Sequence, residues 1–97
     1  MKVRLSRRAE RDLAAQVDWL AQRSPPAARR ALAQILGVID LLEEHPLIGA
    51  ATSRGWREKA VRFGRDGYVV CYVVRSDDLL VVRIFHSRQE RRTPKVR

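Results

Sequence analysis

Few side chains in this sequence can move a proton or hold a metal. There are two histidines, His45 and His86, one cysteine, Cys71, and two tyrosines, Tyr68 and Tyr72. A structural zinc site takes about four sulfur or nitrogen ligands at short spacings, so no metal site is expected. A lone cysteine closes no internal disulfide. His45 precedes Pro46 and reads as a helix C-terminal cap. His86 ends an apolar run, where an imidazole is often held by a neighbouring backbone group; the alternative role is proton transfer. Tyr68, Tyr72 and Cys71 lie within an apolar run and read as core. Arg57 and Lys59 alternate on one side of a strand and read as splaying at a sheet edge. Arg88, Arg91 and Arg92 follow the last apolar run and suit a phosphate or an acidic partner. Asp12 and Asp18 read as solvated residues of a helix face.

The elements that position these groups belong to one domain, because the chain has 97 residues. It is 45% hydrophobic and carries a net charge of +9, which describes a folded basic domain rather than a disordered one. The charge is uneven: +2 over residues 1–45 and +7 over residues 46–97. A positive field of that kind attracts phosphate backbones or acidic protein segments. No apolar run approaches the ~18 residues of a membrane span, and MKVRLSRRAERDL lacks the apolar core of a signal peptide. A reducing cytosol is therefore the expected compartment, with no membrane partner and no cofactor.

Val3 and Leu5 alternate in a short first strand, Lys2 to Leu5. Ser6 is placed to cap a helix from Arg7, whose apolar stripe is Ala9, Leu13, Val17 and Leu20, with Trp19 on its flank. Ser24 followed by Pro25 starts a second helix, with Ala28, Leu32, Ile35, Ile39 and Leu42 on one face and an end at His45-Pro46. The short connection makes the two an antiparallel hairpin. Residues 46–56, with Pro46, Gly49 and Gly55, read as a loop. Arg57–Phe63, Tyr68–Arg75 and Leu79–His86 then read as three strands joined by tight turns. The order β-α-α-β-β-β predicts a two-layer α+β domain over residues 1–92, an antiparallel sheet packed on the helical hairpin. Residues 93–97 are expected to form a mobile basic tail. Parity puts Val61, Phe63, Tyr68, Val70, Tyr72 and Val74 against the helices. Arg62, Val69, Cys71 and Val73 fall on the other face, with His86 beside Arg62 and Val69.

The run LSRRAERDLAAQVDWLAQRSPPAARRALAQI, then EEHPLIG, RFGRDGYVVCYVV and VVRIFHSRQER, resembles the RelE/ParE superfamily of bacterial toxins over residues 3 to about 92. The resemblance implies the same β-α-α-β-β-β fold. It also implies a toxin encoded beside an acidic antitoxin that wraps and neutralises it, so a hetero-oligomer is expected. An apolar groove beside the hairpin or along a sheet edge, rimmed by basic side chains, is the expected antitoxin site.

Members of that superfamily act in two ways. RelE-like toxins cut messenger RNA on the ribosome; ParE-like toxins act on DNA gyrase. Cleaving RNA through its 2′-OH calls for a proton acceptor, a proton donor and cations over the phosphate. Carried over residue by residue, the RelE-like pattern retains Arg62, His86 and Arg88. It departs from the pattern at Ala60 and Val69, where basic residues stand, and at Ser87, where a related branch has tyrosine. The thinned set points to a ParE-like gyrase-binding toxin without an active site of its own. The alternatives are an mRNA endoribonuclease using Arg62, His86 and Arg88, and a non-toxic basic binding domain. Arg57, Lys59, Arg62, Arg83, Arg88, Arg91 and Arg92 are the expected binding residues.

Overall fold

The computed structural model describes residues 1–88; Arg91, Arg92 and the 93–97 tail lie outside the described residues. Strand β1 (Lys2–Leu5) is followed by helices α1 (Arg7–Ala21) and α2 (Pro25–Glu44), then β2 (Ala50–Ala51), β3 (Arg57–Val61), β4 (Tyr68–Val74) and β5 (Asp78–His86). Both helices start as their sequences dictate. Ser6 Oγ accepts the Ala9 N–H at 3.0 Å and Ser24 Oγ accepts that of Ala27 at 3.3 Å. Each such cap stabilises its helix by about 1 kcal/mol. His45 is the C-cap of α2, as its place before Pro46 implies.

The fold class is the expected one, with two amendments to the sheet. The segment read wholly as loop contributes β2, which pairs antiparallel with β3 through Ala50–Glu58 and Ala51–Arg57. The sheet order is β1-β5-β4-β3-β2, and β1 runs parallel to β5, so the sheet is mixed rather than wholly antiparallel. The helical hairpin between β1 and the later strands supplies the crossover that a parallel neighbour requires.

The helices cover one sheet face. Ala9, Ala31, Ile35, Ile39 and Leu42 meet Val61, Tyr68, Val70, Tyr72, Leu79, Val81 and Ile84 in the main core. The alternation of β4 thus sorts as its sequence predicts. Gly49 comes so close to this core that a Cβ would lie 2.6 Å from Tyr72 Oη and 3.0 Å from Glu58 O. Its N–H donates to Tyr72 Oη at 2.8 Å, which satisfies the buried phenol. Gly67, just before β4, has φ +81°, a conformation that favours glycine. Among the described residues neither α1 nor α2 covers the opposite face. Val69, Cys71 and Phe85 form a small cluster there, packed by Trp56 and Val82. Cys71 is fully buried, as its apolar setting implies.

One irregularity decides where the end of β5 points. Tyr72 pairs with Val81 but Cys71 pairs with Arg83, so Val82 is an extra residue, a β-bulge. Leu79 and Val81 face the helices, and after the bulge so do Ile84 and His86. Arg83 and Phe85 face away. Without the bulge Arg83 would oppose Val70 in the core; a buried unpaired cation costs several kcal/mol, whereas a bulge disrupts the ladder at one residue.

Candidate functional site

The two ends of β3, β4 and β5 differ in chemistry. At the β3–β4 turn end, five polar side chains, Asp66, Tyr68, His86, Ser87 and Arg88, assemble around the exit of β5. His86 pairs with Tyr68, not with Val69 or Arg62: the rings meet edge to face at 5.5 Å. The cause is the bulge, which moves His86 to the helix-facing side. His86 Nδ1 accepts the backbone N–H of Arg88 at 3.1 Å. The Arg88 guanidinium pairs with Asp66 at 3.2 Å. Ser87 closes the hook: its N–H donates to Gly67 O at 3.0 Å and its Oγ–H to Asp66 O at 2.8 Å. Tyr68 is 3% exposed, and burial pushes its phenol above the ordinary tyrosine value. It is a closed-off proton donor. Asp66 carried no sequence signal beyond its place in a turn.

Arg62 is not part of this hook and does not lie on the far sheet face. β3 ends at Val61, so strict alternation no longer applies one residue later. Arg62 instead lines an open groove of about 420 Å³ between α2 and the start of the β3–β4 turn. Ala27, Arg30 and Gln34 form its helix wall, three and four residues apart on one face of α2, with Phe63 and Gly64 opposite. Among the described residues no acidic side chain lines it. Arg30 went unnoticed in the sequence because a basic residue on a helix face has many solvated precedents.

Arg57 and Arg83 are committed elsewhere. Arg57 does not splay at an edge. Its Nη1 donates to Gly49 O at 2.7 Å and Leu47 O at 3.4 Å, pinning the loop before β2. Arg83 donates from Nε to Asp12 Oδ2 at 2.8 Å and lies over the Phe85 ring at 4.4 Å. Asp12 is therefore not a solvated residue: it also takes the Ile84 N–H at 2.9 Å and pairs with Arg8 at 3.5 Å. Lys59 is half-buried on the helix-facing parity of β3. Arg91 and Arg92 lie outside the described residues. Among the described residues no group of three or more His, Cys, Asp and Glu side chains is arranged to hold a metal. No helix among them is long and apolar enough to cross a membrane.

A helical hairpin on a mixed sheet, with guanidinium groups gathered around the β3–β4 turn and the end of β5, defines a RelE/ParE superfamily toxin. Within that class the chain belongs to the family of ParE toxins of type II toxin–antitoxin systems, whose sequence model matches residues 3–91. It is 42% identical over 89 residues to a Caulobacter vibrioides protein named Toxin RelE3, covering 92% of this chain and 97% of that one. A second protein of the same organism, Toxin RelE1, is 34% identical over 89 residues, covering 92% and 96%. The fold is also that of a solved structure described as a chromosomal ParDE TA system from P. aeruginosa. The TM-score is 0.72 at 22% identity, with 89% of this chain and 95% of that chain covered.

Proposed function

We propose that this toxin arrests growth in the ParE manner, by gripping DNA gyrase, and that a cognate acidic antitoxin neutralises it in the cytoplasm. The observation carrying this reading is the prior engagement of His86 and Arg88, two of the three groups a nuclease would use, in contacts within the chain. Arg62 sits in the α2 groove, while His86 and Arg88 are engaged in the hook at the end of β5. Proton transfer needs an acceptor within about 2.6–3.2 Å of the hydroxyl it deprotonates. Here His86 Nδ1 already accepts a backbone N–H, and the Tyr68 phenol is shielded from solvent.

The test uses purified toxin with gyrase and supercoiled plasmid, alongside transcript profiling during induced arrest. The reading expects blocked supercoiling or trapped cleaved DNA, with messages intact. Gyrase left untouched at growth-arresting concentrations ends it. Ribosome-dependent cuts lost on His86→Ala would install the endoribonuclease reading, which the nearness of Tyr68, His86 and Arg88 favours. Growth unaffected by induction without antitoxin would install the non-toxic binding domain.

A further inference from the structure

We infer that Leu47 and Ile48, in the loop between α2 and β2, form an apolar knob that seats in a concavity of the folded target protein, with Arg57 facing an acidic rim of that concavity. The inference rests on the gyrase reading above and deepens it: it names the surface of this chain that makes the grip.

The first observation is exposure. Leu47 and Ile48 are consecutive, and they are 63% and 47% exposed. Exposed apolar residues scattered singly are normal on a protein surface. Trp19 is roofed by the Arg23 guanidinium, 3.8 Å from its ring centre, and Leu36 is a single residue of a helix face. The loop pair differs, because Leu47 also stands at the rim of an open hollow of about 340 Å³. Ala51, Trp56, Val73 and Val74 help to wall that hollow. Among the described residues Arg57 is the one charged side chain lining it. Knob and hollow make one apolar patch with a positive edge, the kind of patch that marks a protein contact.

The second observation is that the knob is held still from within. Arg57 Nη1 donates to both Leu47 O and Gly49 O, the Gly49 N–H donates to the buried Tyr72 Oη, and the Ile48 N–H donates to His45 O at 3.1 Å. Pro46 fixes φ where the chain enters the loop. Each of residues 47–49 therefore has a backbone group tied to the domain, while the side chains of Leu47 and Ile48 stand in water. A loop ordered before association loses little conformational freedom when it binds.

Shape and charge select the occupant. A rigid protrusion needs a hollow receptor. A wrapping antitoxin segment is itself an extended strand or helix that seats in grooves, and it has no cavity to offer. A second copy of this chain would bring a net charge of +9 against another +9. A folded protein with an apolar hollow and carboxylates at its rim meets both requirements, and gyrase is the folded partner proposed above.

The experiment takes the full chain and measures inhibition of gyrase supercoiling beside affinity for the antitoxin encoded next to it. Leu47→Ser with Ile48→Ser is expected to raise the half-inhibitory concentration about 100-fold, the scale for losing burial of two aliphatic side chains. Leu47→Ser alone is expected to raise it about tenfold, and it carries the test if the double variant fails to fold. Both residues are exposed, and unchanged circular dichroism verifies folding. Arg57→Ala, which unties the loop, is expected to weaken inhibition and to speed amide exchange at Ile48 and Gly49. Leu36→Ser is expected to change nothing in the gyrase assay. Serine variants that inhibit gyrase like wild type overturn the inference and leave the gyrase reading intact. An equal loss in Leu36→Ser overturns it as well, because the effect would then belong to any exposed apolar residue. Variants that lose the antitoxin instead of gyrase show the knob to be an antitoxin contact, and the inference is wrong. A wild-type chain that leaves gyrase untouched at growth-arresting concentrations overturns both.

Discussion

The Asp12 carboxylate of α1 accepts the backbone N–H of Ile84 at 2.9 Å, on the edge of β5 where β1 has run out. Ser6 serves the preceding stretch of that edge: its N–H donates to Val81 O at 2.9 Å and its Oγ–H to Val82 O at 3.2 Å. The start of the helix thus completes the strand pairing that β1 begins. Asp12 also holds Arg83 outward over Phe85, which fixes the chain just after the bulge. Asp12→Ala strands an N–H and a guanidinium together. A loss of about 2–3 kcal/mol is expected from urea unfolding, the scale for hydrogen bonds to charged groups. A loss below experimental error would show the link to be incidental.

The contact of Gly49 with Tyr72 makes two substitutions interdependent. Gly49→Ala drives a methyl into the phenol and the Glu58 carbonyl, at a cost of about 1–3 kcal/mol. Tyr72→Phe removes the acceptor of the Gly49 N–H and costs about 1–2 kcal/mol. The double variant is expected to lose less than the sum, because the clash with the hydroxyl vanishes. Strict additivity in denaturant unfolding would contradict the geometry.

His86→Ala separates the two modes of toxicity. An enzyme relying on the imidazole for proton transfer would lose about 10²–10⁴-fold in rate. The gyrase reading expects the dose for growth arrest to change by less than about tenfold, since only the hook at Arg88 is loosened. Titrated induction with transcript profiling measures it.

Acid should weaken the junction of β1, β4 and β5. Asp78 accepts Arg75 at 2.6 and 2.8 Å and pairs with Arg4 at 3.1 Å. The Arg75 hydrogen bond, followed by the two positive charges, holds the Asp78 carboxyl below the ordinary aspartate value. A folded-state value lowered in this way stabilises above the unfolded value of about 3.9 and is lost as pH falls through the folded one. Asp78→Asn is therefore expected to flatten the fall in stability below about pH 4. Parallel acid slopes for wild type and variant would refute the assignment.

Much of this architecture was legible beforehand for physical reasons. Capping serines at Ser6 and Ser24 and apolar stripes of period 3.6 set the hairpin, and strict alternation in β4 sorted Tyr68, Val70 and Tyr72 inward. What escaped depends on events that leave no periodic trace. A single extra residue at Val82 reversed the side on which His86 lies. The end of β3 at Val61 released Arg62 from its parity. β2 is two residues long and has no pattern to detect. Asp12 resembles any exposed helix acid until a strand edge comes to rest against it.

Strand alternation aims Phe85 and His86, adjacent in the chain, into opposite hemispheres of the molecule, and the bulge decides that His86 is the one beneath the helices. A fluorine on the Phe85 ring therefore samples the side of Val69 and Cys71, and the imidazole resonances of His86 sample the side beneath the hairpin. Spectra of one doubly tagged sample would tell, for each macromolecule that embraces this toxin, which hemisphere it has taken.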